Sequence, residues 1–220
     1  MSAGEYVRRY FILFWGLVFN ALGVVIVTGA ELGTSPIAST PYTLSLLIPA
    51  LTLGNWTILF NFFLIACSAL LLWKNAKPLE IVLELVVSVV FGYLVDLFMF
   101  LFDFISPSHY VLRLLCVIIG CAVVAFGVYL EVVADVVMLA GDAFVRAIVH
   151  RTGGQHGTIR MISDISMVAL AAILSLVFMG ELKGVREGTI ISALITGLFV
   201  GLFSRFFRRL TRIMLGKYFF

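Results

Sequence analysis

The chain has 220 residues, of which 62% are hydrophobic and 12% are charged, and its mean hydropathy is +1.15. Soluble domains carry about 25% charged residues, so this composition excludes a soluble globular domain and indicates a polytopic membrane protein. The net charge of +3 comes mostly from the C-terminal segment RFFRRLTRIMLGK, which is typical of an anchor to anionic lipid rather than of a nucleic-acid site.

Six apolar runs are long enough to span a bilayer, which takes about 20 residues of helix. Glycine, proline and asparagine separate them. The predicted spans are roughly 8–30, 55–73, 79–102, 111–133, 158–179 and 188–206. Residues 34–53 and 135–152 are too long and too apolar for plain loops, so each is predicted to hold a short interfacial or re-entrant half-helix. Such backbone is tolerated at membrane depth only where protein or a water-filled cavity covers it.

An internal repeat relates the two halves of the chain. Eight residues recur unchanged after a shift of 104 positions, and Glu31 meets Asp135; the eight are Tyr6, Val7, Arg9, Gly16, Ala21, Gly23, Val24 and Ala30. The fold class predicted is therefore all-α, with six transmembrane helices in two repeats, residues 1–104 and 105–210, and a basic tail at 211–220. Each repeat has an odd number of spans, so the two are inverted relative to each other.

Basic residues predict the orientation of these spans. With the N-terminus in the cytoplasm, only Arg113, Lys183 and Arg186 of the 15 lysines and arginines fall outside. This bias favours six spans with the N- and C-termini both cytoplasmic.

Four segments resemble the YczE/YitT-like integral membrane proteins of bacteria. They are GLVFNALGVVIVTGAELGTSP, AGDAFVRAIVHRTG, GTIRMISD and REGTIISALITGLFVG. The resemblance covers nearly the whole chain and implies a six-span protein of the bacterial cytoplasmic (inner) membrane, without an established substrate. Where the family often has Gly-x-Pro-Arg-Asp, this chain has Leu139-Ala140-Gly141-Asp142, and the acid expected after Pro36 is Ala38. These departures weaken any role that depends on a symmetric pair of acids.

The stretch from residue 131 to residue 164 concentrates ionisable residues in an otherwise apolar chain. Such groups are costly in a membrane unless they face water, a ligand or each other, so we predict that this stretch forms one wall of a solute site. Asp142 and Arg146 are four residues apart, as are Arg160 and Asp164, and each pair can share a helical face. The arginines could anchor an anion while the acids orient them. Alternatively, both pairs are structural ion pairs.

Further polar residues within the predicted spans complete the candidate set. Asn20 and Asn61 are predicted to bind solute with the two ion pairs above. Four acids are candidates for ion or proton coupling: Glu31, Asp135, Glu84 and Asp96. Glu31 and Asp135 could be paired acids of one site or solvated carboxylates at helix ends. Glu84, Ser88 and Gly92 form a stripe that suits a cavity wall, although helix packing explains the serine and glycine equally well.

The sequence offers no pattern for a metal, a cofactor or an enzymatic reaction. His150 and His156 have no third ligand at metal spacing, and no nucleophile elbow or phosphate-binding loop is present. Cys67, Cys116 and Cys121 lie in apolar runs and are expected to be packing residues. The expected partners are a small solute and membrane lipid, not nucleic acid, and a chain of this size could form a homodimer.

These patterns favour a secondary transporter that moves a small polar solute, anionic solutes included, by a proton- or ion-linked mechanism. Two alternatives stay open at this stage. One is the substrate-binding membrane subunit of a larger importer, which would need an ATPase partner. The other is a lipid-handling or structural membrane protein.

Overall fold

A computed structural model describes residues 3–73, 77–102, 107 and 109–206. Over these ranges the protein is helical and contains no strand. Its helices are α1 (Ala3–Gly29), α2 (Pro36–Leu47), α3 (Leu53–Leu72), α4 (Pro78–Leu101), α5 (Tyr110–Ala134), α6 (Ala140–Thr152), α7 (His156–Met179) and α8 (Glu187–Phe206). The predicted basic tail at 211–220 lies outside the described residues.

Each apolar run predicted from the sequence coincides with a helix. α1, α3, α4, α5 and α7 are long and apolar enough to cross a membrane, which is compatible with a multi-pass membrane protein. α8 covers the sixth predicted run, but its apolar segment, Glu187–Phe203, is shorter than the other five. The two predicted half-helices are present as α2, of 12 residues, and α6, of 13 residues.

Local sequence explains where the half-helices begin and end. α2 starts at Pro36, whose fixed φ suits the first turn and whose missing N–H costs nothing there. α6 ends at Gly153, which adopts a left-handed φ of +70° and so stops the helix. Half of the residues of α2 are buried, as expected for a short helix partly covered by protein; they are Pro36, Ala38, Ser39, Thr40, Pro41 and Thr43.

The centre of the molecule is a close crossing of α1 and α5. Gly16 lies against Gly127, and Gly23 lies against Gly120, so the contacts run in opposite directions along the two helices. The two helices are therefore antiparallel. A Cβ atom on Gly23 would lie 2.5 Å from the backbone nitrogen of Val124, which is why the approach requires glycine.

The other helices surround this crossing. α4 packs against α1, and α8 packs against α5. The half-helix α2 packs on α7 and α3, while α6 packs on α3 and α7, so each half-helix contacts both halves of the chain. α3 also packs along α4, where Gly54 meets Gly92. This arrangement places the starts of α2 and α6 together near the middle of α1.

Candidate functional site

A small cavity lies where the two half-helices begin. Its volume is about 50 Å³. Ile37, in the first turn of α2, packs against Gly141, in the first turn of α6, and both residues line the cavity. α1, α3 and α4 supply the remaining walls. The lining residues are Asn20, Val24, Ile37, Ala38, Pro41, Thr57, Phe60, Asn61, Phe91, Val95, Leu139 and Gly141.

Three polar side chains face this largely apolar cavity. Asn20, on α1, donates from Nδ2 to Glu131 Oε1 over 3.0 Å. The Thr57 hydroxyl donates to the Leu53 carbonyl within its own helix, over 2.8 Å. Asn61 is only 4% exposed, and no residue in the described part of the chain hydrogen-bonds its side chain. Both asparagines proposed from the sequence therefore meet in one cavity, and the Asn61 amide is free to bind a solute.

A charged cluster adjoins the cavity through Asn20 and the start of α6. We call Glu131, Asp142, Arg160 and Asp164 the Arg160 cluster. The Arg160 guanidinium pairs with Asp142 through Nη1, and with Asp164 through Nε over 3.4 Å. Glu131 is 6% exposed and lies close enough to Arg160 for the two charges to interact. The predicted pair of Arg160 with Asp164 is therefore present, but Asp142 binds Arg160 rather than the predicted Arg146.

Arg146 belongs to a second group of charges. Its Nη2 lies 3.4 Å from Glu80 Oε2 and 3.9 Å from Glu84 Oε1. Lys77 pairs with Glu80 over 2.9 Å, and all four side chains line a separate recess of about 20 Å³ between α3, α4 and α6. Glu84 is buried, as its cost in the membrane suggested, but it sits with Arg146 and apart from the cavity that holds the asparagines.

Glu31 and Asp135 are not brought together. They lie at opposite ends of the α1–α5 crossing, each in a left-handed conformation, with φ of +58° and +48°. Glu31 pairs with Arg113 over 2.8 Å, and Asp135 pairs with Arg9 over 3.6 Å. Each acid thus binds the arginine of the other repeat.

Asp96 caps a helix in this structure. Its Oδ1 accepts the Gly54 N–H over 2.7 Å, and its Oδ2 accepts the Thr52 hydroxyl over 2.6 Å. A carboxylate at this position satisfies free N–H groups at the start of α3 and interacts favourably with the helix dipole. These contacts explain why an acid occurs within the apolar helix α4 without requiring a role in coupling. Asp96 does not line the cavity described above.

The described residues hold no group of three or more His, Cys, Asp or Glu side chains placed to bind a metal ion. His150 and His156 are exposed at the end of α6 and the start of α7. The three cysteines are free, and Cys121 is buried at the α1–α5 crossing, within the cluster that includes Val27 and Val117.

Two important residues were not among the predicted site residues. Glu131 lies one turn before Asp135 but faces Asn20, because successive turns of α5 meet different residues of α1. Arg9 was expected at the cytoplasmic surface, yet its side chain is 1% exposed. The repeat held a signal for Arg9, since Arg113 occupies the equivalent position.

The five long apolar helices are compatible with a multi-pass membrane protein, and two short helices interrupt their sequence. Residues 7–205 match the family of unknown function DUF6198, and the chain belongs to this family. The match covers both repeats predicted from the sequence.

The chain is also similar to the uncharacterized protein YyaS of Bacillus subtilis (strain 168), with 32% identity over 119 residues. That alignment covers 53% of this chain and 57% of YyaS, so the chain spans little more than half the length of this relative. No solved structure matches the chain. The resemblance to YczE/YitT-like proteins stays a prediction from the motifs.

Proposed function

We propose that this chain is a secondary transporter that carries a small polar solute across the cytoplasmic membrane of a bacterium. In this proposal six spans, with α8 as the sixth, form two inverted repeats, and both termini are cytoplasmic. Lipid covers the exposed apolar side chains of the outer helices. The YczE/YitT-like resemblance belongs to the same proposal.

The packing of the helices supports the inverted repeat. Under the proposed correspondence, α1 to α4 match α5 to α8. The contact of α1 with α4 then has its counterpart in α5 with α8, and α2 with α7 has its counterpart in α6 with α3. The α1–α5 crossing is its own counterpart, because Gly16 and Gly23 correspond to Gly120 and Gly127. An inverted pair of three-span repeats has this antiparallel central contact.

The observation that carries the proposal is the cavity between the starts of α2 and α6. Transporters built from inverted repeats bind solutes where interrupted helices meet near the middle of the membrane. Here the meeting point is Ile37 against Gly141, and Asn20 and Asn61 supply polar groups there. The Asn61 amide lines the cavity and has no hydrogen-bond partner among the described residues, so a solute or water there would satisfy it, which favours a solute site over simple packing.

The Arg160 cluster supports an ion-linked mechanism. It places three carboxylates, Glu131, Asp142 and Asp164, around one guanidinium. Three ionised acids around a single cation leave an excess of negative charge, which is costly in a membrane interior. Protons or a bound cation remove this excess. Uptake or release of such ions, coupled to the solute through Asn20, is the proposed transport mechanism.

Proton-linked transport can be tested in proteoliposomes that contain a pH-sensitive dye. Amino acids, short organic acids and nucleobases are added singly under an imposed pH gradient. We expect at least one of these solutes to move protons with the native protein. The double variant Arg160→Ala/Asp164→Ala should lose this signal, because it removes the cation and one acid of the cluster.

Arg151→Ala is the matched control, since Arg151 is an exposed arginine near the end of α6 and lies outside the cluster. Each variant is used only if it elutes as one symmetric peak in detergent. Unchanged transport in the double variant would refute the role of the Arg160 cluster. No solute-dependent proton movement and no counterflow of any labelled solute would refute the transporter itself.

A further inference from the structure

We infer that the cavity between α2 and α6 binds the carboxylate group of a short monocarboxylate, held by the first-turn N–H groups of α6 and by the Asn61 amide. This inference rests on the proposed function for its biological role. It can be tested by binding alone.

The start of α6 is a buried helix N-terminus without a cap. Its N-cap residue, Leu139, has no side chain that can accept a hydrogen bond. Ala140 is 0% exposed and Gly141 is buried, so the uncapped end lies away from bulk solvent. The first N–H groups of a helix have no acceptor within the helix. An oxyanion in the cavity would accept them and would also interact favourably with the helix dipole.

Asn61 points to the same kind of ligand independently. Its side chain lines the cavity from α3, opposite the half-helices, and it is 96% buried because only 4% is exposed. Nothing in the described part of the chain accepts its two amide hydrogens. A carboxylate has two oxygens and can accept one hydrogen bond from the Asn61 amide and others from the α6 backbone.

The charges around the cavity favour one negative charge on the ligand. None of the lining residues described above is charged, and Asp142, the nearest acid in α6, is already paired with Arg160. Glu131, which accepts a hydrogen bond from the lining residue Asn20, belongs to the Arg160 cluster, whose excess negative charge is removed by protons or a bound cation in the proposed mechanism. A helix N-terminus contributes about half a positive charge, and two such termini meet here. The partial positive charges of the two helix ends together balance the single negative charge of a monocarboxylate. A dicarboxylate or a phosphate dianion would bring a second charge that no lining side chain neutralises.

The remaining walls fit a short apolar body. Phe60, Phe91, Val24 and Val95 line the cavity, so a hydrocarbon chain would be buried against apolar side chains. A volume of about 50 Å³ holds roughly three to five water-sized groups. Acids of about two to three carbons, acetate and propionate, match this size, and butyrate, with one atom more, is about the largest that fits.

Equilibrium binding of radiolabelled butyrate to the intact protein in lipid nanodiscs tests the inference. We expect saturable binding that unlabelled acetate, propionate and butyrate displace. Butyramide has the same shape without the charge and should displace it poorly. Asn61→Leu should weaken butyrate binding about 10- to 100-fold, the factor expected for a lost hydrogen bond to a charged group.

Two further variants separate recognition from folding. Asn61→Asp keeps the size of the side chain but places a negative charge beside the ligand, so it should weaken butyrate binding more than Asn61→Leu does. Asn55→Leu, on the same helix outside the cavity lining, should bind butyrate as the native protein does. Equal displacement by butyramide, or unchanged affinity in Asn61→Leu and Asn61→Asp, would overturn the inference.

The outcomes also distinguish this inference from the proposed transporter. Butyrate binding that depends on Asn61, without transport of any carboxylate in proteoliposomes, would support the site and refute the transporter. Proton-linked transport of an uncharged solute, without binding of any short carboxylate, would refute the site and leave the transporter standing.

Discussion

The two ends of the α1–α5 crossing use the same residue types but differ in burial. At one end, which we call the Arg9 end, Arg9 pairs with Asp135 and is 1% exposed. At the other, the Arg113 end, Arg113 pairs with Glu31 and is 26% exposed. The Arg9 side chain also binds Glu5 Oε1 over 3.2 Å and the Ala134 carbonyl over 3.0 Å. Among the described residues, Arg113 has one further acceptor, the Pro107 carbonyl, at 2.8 Å.

The comparison separates the features that the two predicted repeats share from those that belong to one half alone. The shift of 104 residues places an arginine near the start of the first helix and an acid just after its end in both halves. The position equivalent to Glu5 is His109, so the shift places no acid opposite Glu5 in the second half. Burial of a charge is tolerated only with compensating partners, and Arg9 has them.

The largest expected effect is at the Arg9 end. Arg9→Gln removes the guanidinium that binds Glu5, Asp135 and the Ala134 carbonyl, and it leaves this carbonyl without a donor and both acids without this cation. The acids are 26% and 57% exposed, so the main cost is the loss of the hydrogen bonds from Arg9 to Glu5 and to the Ala134 carbonyl, about 1.5–3 kcal/mol for each bond to a charged group. We expect a loss of this size in the free energy of unfolding, measured by detergent-denaturant titration in mixed micelles. A loss below about 1 kcal/mol would show that the pair contributes no more than a surface pair.

A substitution midway along the crossing should have an intermediate effect and disturb both ends. In Gly23→Ala the new methyl group meets the backbone of Val124, which cannot move aside as a side chain could. Overpacking of this kind costs about 1–3 kcal/mol. The control is Gly197→Ala on α8, because no atom lies within 4 Å of a Cβ built there. Equal thermal stability of the two variants would contradict the close crossing.

The smallest effect is expected at the Arg113 end. Arg113→Gln breaks a pair whose acid is 53% exposed, and such pairs contribute about 0–1 kcal/mol. The coupling between Arg113 and Glu31, measured with Glu31→Gln and the double variant, should fall further in high salt because exposed charges are screened. A coupling as strong and as salt-independent as that of Arg9 with Asp135 would remove the contrast between the two ends.

The sequence predicted the helices well because hydrophobic runs and their breakers are local signals. The half-helices were also found, since residues 34–53 and 135–152 were too apolar for loops. Contacts between distant helices were harder to predict. The repeat aligned Glu31 with Asp135, which suggested one shared site, but alignment within a repeat does not give the partner across the molecule. Only the antiparallel crossing of α1 and α5 pairs each acid with the arginine of the other half.

The candidate site was predicted in part for the same reason. Asn20 and Asn61 were singled out as polar residues in apolar spans, and both line the cavity. Spacing of four residues suggested that Asp142 pairs with Arg146, whereas Asp142 instead contacts Arg160 on α7. Which of several arginines an acid meets depends on the packing of α6 against α7, α3 and α4, and spacing along one helix does not contain that information.

The reciprocal pairs have the form of an isologous interface, in which one surface serves both partners of a two-fold dimer. Each half offers one arginine and one acid and receives the complementary residues from the other half. In a true homodimer, every substitution would change both ends at once. In the proposed repeat both halves lie in one chain, so they can diverge separately: Asp142 stands opposite Ala38, and Glu5 opposite His109. Because the two halves are one chain, the helix packing can be symmetric while the residues of the candidate site differ between the halves.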